Sequence, residues 1–327
     1  MKIVIDMMGG DNGLRATIPS TKTFIEKHND LELFLIGDIN KLTEFKKYKN
    51  VTLVQSETVV KMDADPLSAL RETNSSLMVG IKTFLDNKCD AFISAGSTGA
   101  LLSAATFKIK RIEGVIRPGL ITPFPTLIKN KKFVVCDLGA NTTCTKEELN
   151  QFATMGSIYY KTLFHDVNEP RVYQLNIGTE SEKGTTVNKE AYILLKENKN
   201  INFKGNIEAR DPLYGNVDVL ITDGYSGNIF LKTMEGTAKA MSKMIKDAFK
   251  KNIFTKLGYL LVRKGIVEMK EKMDYKNVGG AMLMGVNGVV IKAHGSSDPK
   301  GFLSALESGY KLTSVHIIDK FKENLNR

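Results

Sequence analysis

The sequence predicts an α/β protein with a mainly parallel sheet and helices on both of its faces. Three observations predict it. Apolar runs of strand length, such as Ile3–Ile5, Leu31–Ile36 and Ala91–Ser94, alternate with longer amphipathic segments. The 327 residues suffice for a large core divided between two lobes. One motif also occurs twice, as DAFISAGSTGALLS from Asp90 to Ser103 and as DVLITDGYSGNIFL from Asp218 to Leu231. Each copy reads as a buried strand, a glycine turn and the start of a helix. Ser94 aligns with Thr222, Gly96 with Gly224, Thr98 with Ser226 and Gly99 with Gly227. Such turns leave unpaired N–H groups where the helix dipole favours an anion. Two turns of one design suggest two related lobes facing one ligand.

The elements follow in order. Ile3–Ile5 is a strand closed by the turn Asp6-Met7-Met8-Gly9-Gly10-Asp11-Asn12. A helix starting at Arg15 or Thr17 runs to about Lys27, and strands are expected at Leu31–Ile36 and Val51–Val54. Asp65 and Pro66 read as the N-cap and first turn of a helix, followed by a second helix from Ser75 to Asn87. After the first glycine turn, helix Leu101–Lys110 leads into Gly114–Pro125, an irregular stretch with three prolines. It is the expected crossing between lobes. Strand Phe133–Cys136 ends in Asp137-Leu138-Gly139-Ala140-Asn141. Then come helix Lys146–Phe164, strand Val172–Ile177, loop Gly178–Thr185, helix Val187–Asn198 and strand Phe203–Ile207. Beyond the second glycine turn, Met234–Lys251 is helical. Lys251–Lys272 places Ile253, Phe254, Leu257, Leu260 and Leu261 on one helical face. Gly279–Lys292 reads as loop and strand, His294–Pro299 as a turn, and Lys300–Tyr310 as the last helix.

Composition narrows the function. At 42% hydrophobic and 25% charged, the chain is of ordinary soluble type. Met1-Lys2 runs straight into strand-like IVID, so no signal peptide is expected, and no apolar run approaches the ~20 residues of a spanning helix. Three cysteines without CxxC spacing indicate neither a disulfide framework nor a zinc site, and a reducing cytoplasm is expected. The net charge of +10 favours anionic substrates, acidic proteins or anionic lipid, unless it is only a lysine-rich surface. No basic run interleaved with aromatics speaks for nucleic acid.

The motifs IDMMGGD, MDADP, SAGSTGA, DLGAN, NIGTESEKG, ITDGYSGNIFLKT and VVIKAHGSSD lie in order from residue 3 to 298. With them the chain resembles the bacterial phosphate acyltransferases of phospholipid synthesis, which make acyl phosphate from an acyl-carrier-protein thioester and inorganic phosphate. The resemblance implies a fold similar to isocitrate and isopropylmalate dehydrogenases, with two intertwined lobes around a cleft, as a homodimer without metal, nicotinamide or other cofactor. The lobes are expected at 1–112 with 277–327 and at 113–276, with a protruding helical segment near 235–275. Two departures stand out. Ser97 replaces the family's usual Asn, and Ala209-Arg210-Asp211-Pro212 replaces a Gly-Arg-Asp.

That reaction has modest demands, because phosphate is already a nucleophile and a thiolate leaves readily. The site must hold an anion against a thioester carbonyl and stabilise the developing oxyanion. The expected substrate-binding residues are Asp6, Gly9, Gly10, Asp11, Ser94, Gly96, Ser97, Thr98, Gly99, Asn141, Gly178, Asp223, Gly224, Ser226 and Gly227. The expected catalytic residues are Lys183, Asn228 and His294. Each has a plainer reading beside the functional one. Glycine turns also serve tight strand-to-helix packing, Lys183 is otherwise a solvated lysine, and His294 otherwise a satisfied turn histidine. Gly178–Thr185 is no P-loop, since Lys183 precedes Gly184. His28, His165 and His316 have no motif around them, and Cys136 and Cys144 lack a neighbouring histidine to activate them. The aspartates are expected to brace turns rather than hold metal. The basic, amphipathic segment Lys251–Lys272 suits a dimer interface, the acidic carrier, or an anionic membrane carrying a glycerol-3-phosphate acyltransferase. The rival functions are a coenzyme A-dependent phosphotransacetylase, a nicotinamide dehydrogenase, and a scaffold binding acyl carrier protein.

Overall fold

The computed structural model describes residues 1–164, 167–273 and 279–325, so His165 and the expected lobe boundary at 276–277 lie outside it. Within these residues the strands are β1 (Lys2–Asp6), β2 (Glu32–Gly37), β3 (Val51–Gln55), β4 (Ala91–Ser94), β5 (Gly119–Pro125), β6 (Lys132–Cys136), β7 (Arg171–Leu175), β8 (Asn202–Ile207), β9 (Val219–Ile221), β10 (Ala281–Met284) and β11 (Val289–Lys292). The helices are α1 (Leu14–Lys27), α2 (Ser76–Asp86), α3 (Thr98–Ala104), α4 (Lys146–Leu163), α5 (Thr186–Glu197), α6 (Gly224–Lys250), α7 (Ile253–Met273), α8 (Pro299–Ser314) and α9 (Ile317–Leu325). All the strands join one sheet in the order β3-β2-β1-β4-β11-β10-β5-β6-β9-β7-β8.

Continuous apolar runs make these strands because both faces of the sheet are covered. Alternate residues then serve opposite sides. Ile3, Ile5 and Ile93 pack with Phe24 of α1, Tyr159 of α4 and Phe302 of α8. Val4 and Phe92 pack with Ile81 of α2, Leu101 of α3 and Phe230 of α6 on the other side. The expected mainly parallel α/β sheet is what the chain forms.

Sheet polarity positions the site. β1–β4 and β11 run parallel to one another, as do β6, β9, β7 and β8. Between the two sets, β10 is antiparallel to β11 and to β5, and β5 is antiparallel to β6. Three reversals leave the two halves running in opposite directions. The glycine turns at the C-terminal ends of β4 and β9 therefore face opposite edges of the sheet.

Four local expectations are corrected. Gly114–Pro125 is irregular only to Pro118, and its remainder is β5. This strand tolerates Pro123 and Pro125 because both lie beyond its last pairing with β10, Ile121 to Met282. Asp65 does cap, accepting the N–H groups of Leu67 (3.1 Å) and Ser68 (2.7 Å). The helix it starts is one short turn, Ser68–Arg71, because this polar stretch buries only Ala69. The helix after the second glycine turn starts at Gly224, without a break before Met234. The unexpected α9 forms because Ile317 and Phe321, four apart, fall on one buried face.

Candidate functional site

The first glycine turn is braced from below by Asp6. One carboxylate oxygen accepts the N–H groups of Met8 and Gly9, both at 3.1 Å, and the other accepts the Ser94 hydroxyl at 2.7 Å. Ser94 Oγ in turn accepts the Gly96 N–H at 3.0 Å. The turn of residues 6–11 thus lies directly on residues 94–96. Its glycines permit that approach, since a Cβ on Gly9 would sit 2.8 Å from the Gly96 nitrogen. Asp11 continues the contact, its N–H bonding the Gly295 carbonyl at 2.8 Å. Outside the turn, Pro66 touches Gly99 and Met62 touches Gly295, so the Met62–Pro66 loop lies against this edge. Among the described residues, the N–H groups of Ser97 and Thr98 have no protein acceptor. They are available to an anion.

Lys292 and His294 enter the same place from β11, which pairs with β4 and sets Lys292 beside Ser94. Lys292 is only 8% exposed. Its ammonium donates to the carbonyls of Ala95 and Ala293, and among the described residues no carboxylate pairs with it. Burial pulls its pKa from 10.5 down to about 8, opposed by the nearby charge of Asp11 and Asp6 and reinforced by Lys232. Helix α6 supplies the rest. Lys232 Nζ lies 3.0 Å from buried Glu235 and 3.4 Å from His294 Nε2. Glu235 Oε1 is 3.7 Å from that same nitrogen. Burial lowers the His294 pKa, with Glu235 opposing and Lys232 and Lys292 adding to the shift. The ring is therefore neutral near pH 7. The Ser296 N–H points at Nδ1 (3.2 Å), so the neutral ring carries its proton on Nε2, the atom facing Lys232 and Glu235.

The second turn resembles the first in sequence but not in chemistry. Asp223 caps α6, accepting the N–H of Ser226 at 2.7 Å and its hydroxyl at 3.2 Å. The Gly224 N–H is bound to the Asn141 carbonyl at 2.8 Å, and Gly227 to Asp223. Asp137 braces this turn as Asp6 braces the first. It accepts from Leu120, Ala140 and Asn141 backbone N–H groups and from the Asn141 side chain at 2.9 Å. Burial nevertheless raises its pKa. Asn141 is spent on Asp137 and on the Pro118 carbonyl. Asn228 packs against Gly139.

The expected residues therefore fall into two groups. Asp6, Gly9, Gly10, Asp11, Ser94, Gly96, Ser97, Thr98, Gly99 and His294 gather at the β4 edge. Asn141, Gly178, Lys183, Asp223, Gly224, Ser226, Gly227 and Asn228 lie at the β9 edge, with Lys183 exposed in the loop after β7. Helix α6 joins the groups, and at about 1.5 Å per residue it carries Lys232 roughly 12 Å and Glu235 roughly 17 Å from the turn that starts it. Sequence reading missed Lys292, Lys232 and Glu235. The available signal was a lysine closing the apolar run Val289-Val290-Ile291 just before His294. Among the described residues, no group of three or more His, Cys, Asp or Glu is arranged to hold a metal ion.

A family model described as "Fatty acid synthesis protein" matches residues 1–320. A protein named phosphate acyltransferase from Staphylococcus haemolyticus is 40% identical over 326 residues, which is 99% of this chain and 98% of that one. Another of that name, from Lysinibacillus sphaericus, is 42% identical over 99% of this chain and 98% of its own. Among solved structures, a phosphotransacetylase from Streptococcus pyogenes matches with a TM-score of 0.60 at 17% identity, covering 98% of this chain and 94% of that chain. A branched-chain phosphotransacylase from Enterococcus faecalis gives 0.57 at 12% identity over 95% and 98% of the two chains. These two share the fold.

Proposed function

The chain belongs to the fatty acid synthesis protein family, and from that premise we propose that it moves a fatty acyl group reversibly from acyl carrier protein to inorganic phosphate. It is an acyltransferase of the phosphate acyltransferase type. The observation that carries the rest is Lys292, a buried ammonium beside a glycine turn with open N–H groups. Its charge, with Lys232 and the Ser97 and Thr98 N–H groups, suits phosphate at the β4 edge. An oxygen of phosphate attacks the thioester carbon, the tetrahedral oxyanion collapses, and the carbon–sulfur bond breaks to release thiolate. His294 Nε2–H donates to the oxyanion or the departing sulfur; no group need take a proton from HPO₄²⁻. Direct attack, without an acyl-enzyme, is favoured because burial pushes Cys89 up to about 11, Cys144 up to about 12 and Cys136 well above its ordinary value. None is a ready thiolate. Asp223 and the second turn anchor α6, and Lys183 and Asn228 stay with them at the β9 edge, in the lobe 113–276 that faces the lobe 1–112 with 277–327.

The deciding assay mixes purified protein and phosphate with acyl carrier protein thioester or acyl-coenzyme A, trapping acyl phosphate as the hydroxamate. Product mainly from the carrier protein is expected. Product from coenzyme A alone would make the enzyme phosphotransacetylase-like, and product from neither would favour a scaffold. His294→Gln keeps a donor near Nε2 and should retain turnover within about tenfold, whereas His294→Leu should lose about a hundredfold. Equal losses in the two variants would remove the donor role.

Helices α6 and α7 expose Met244, Phe254, Leu257, Leu260 and Leu261 amid lysines. Among the described residues no helix is long and apolar enough to cross a membrane. We place homodimerisation and peripheral attachment of a cytoplasmic enzyme here, next to an anionic membrane with a glycerol-3-phosphate acyltransferase as the user of acyl phosphate. Phe254→Glu with Leu257→Glu should abolish flotation with anionic liposomes at unchanged dimer mass. Loss of dimer mass instead would assign the face to the partner copy.

A further inference from the structure

Resting on the acyl-transfer reading, we infer that the acyl chain of the donor occupies an apolar cavity between the end of β5 and helices α6 and α7. The cavity measures about 300 Å³ and is walled by Phe124, Leu127, Leu213, Leu231, Met234 and Ala238. Its one charged lining residue is Glu235. The Glu235 carboxylate is held by Lys232 and faces His294, so the wall Glu235 contributes adjoins the place where the reacting carbonyl would lie. A chain whose thioester sits at His294 and Lys292 has this cavity as its adjacent apolar space. At about 30 Å³ for a water-sized group, and a methylene is similar in size, it holds about ten carbons. Longer chains have a continuation. Met269 of α7 lines both this cavity and a second, of about 700 Å³ along the α6–α7 groove, where Ile245, Phe249, Tyr259 and Ile266 alternate with Lys243, Lys246, Lys250 and Lys256. Neither space is needed for phosphate or for the turn geometry, and the first is walled mainly by leucine, methionine and phenylalanine.

The occupant follows from that chemistry. The cavity walls offer no hydrogen-bond pattern that would select a nucleotide or sugar, only length and width. Each buried methylene is worth about 0.8 kcal/mol, a factor of about four in affinity. Selectivity should therefore climb steeply with chain length until the first cavity is full, then more slowly along the part-lysine second space.

The test measures kcat/KM for acyl donors of two to sixteen carbons with wild type, Ala238→Trp and Met234→Ala. The readout is the ratio of ten-carbon to four-carbon donor within each protein. A second arm measures binding of free decanoic acid to the same three proteins by calorimetry, which needs no turnover. Ala238→Trp fills the cavity and should lower the ratio at least tenfold and weaken decanoate binding to match. Met234→Ala enlarges it and should move that change of slope toward longer chains. Length profiles and decanoate binding that are the same in all three would overturn the cavity while leaving acyl transfer intact. No acyl phosphate from any donor, with decanoate still bound and displaced by Ala238→Trp, would overturn acyl transfer and keep the cavity as a fatty-chain site.

Discussion

Lys292→Met is expected to lower turnover by at least about a hundredfold and, at neutral pH, to make the protein harder to unfold. The first effect follows from removing a preorganised cation from phosphate and the transition-state charge, where one lost donor costs about 10²–10³ in rate. The second follows from its burial. A pKa of about 8 in the folded protein against an ordinary 10.5 means that the charged form is disfavoured by roughly 3 kcal/mol. Because the folded value is the lower one, this cost is full below pH 8 and fades as pH rises from 8 to 10.5. Removing the ammonium leaves the Ala95 and Ala293 carbonyls without it, so the net gain should be about 2 kcal/mol at pH 7. Urea unfolding should show it at pH 7 and lose it near pH 10.5. Turnover has its own signature, since the KM for phosphate of wild type should rise as pH passes about 8. Lys292→Arg should move that break upward. Lys183→Ala, at the exposed β9 edge, should cost far less than Lys292→Met. The reverse ranking would move phosphate to the second turn.

Gly227→Ala should destabilise the fold by about 4 kcal/mol, near the upper end for a single added methyl. A Cβ there would lie 1.9 Å from the Asp137 carbonyl oxygen and 2.9 Å from Thr222 Cγ2. Neither neighbour can retreat, because Asp137 is tied by four hydrogen bonds into the turn below. Gly236→Ala in the same helix meets nothing within 4 Å and should instead stabilise by about 0.5–1 kcal/mol. A urea midpoint for Gly227→Ala close to wild type would show that the turn can open, and would restore it as a candidate anion site.

The strands were legible because a parallel sheet buried on both faces writes itself as unbroken apolar runs. The glycine turns were legible because L-residues cannot make such close approaches. What sequence could not distinguish was a turn with open donors from one with filled donors. DAFISAGSTGALLS and DVLITDGYSGNIFL look alike, yet Asp223 caps its own helix while Ser97 makes no side-chain cap. The partners that decide this, Asn141 and Asp137, lie some eighty positions away. Lys232 and Glu235 were hidden for a similar reason. On an amphipathic lysine-rich helix nothing marks the charged pair that faces His294, because His294 lies 62 positions further along the chain than Lys232. Gly114–Pro125 misled because its prolines matter only relative to where β10 stops pairing.

The place of β11 in the sheet also sets an order of assembly in the cell. Ser94 and the glycine turn leave the ribosome well before the strand that fits beside β4, because Lys292 follows Ala95 by 197 positions. At about 5–20 residues per second, roughly 10–40 s separate the two. Throughout that interval the nascent chain presents β4 with an unpaired edge and without its buried cation. Closure of the sheet beside β4 and arrival of the buried cation at the glycine turn are therefore one event.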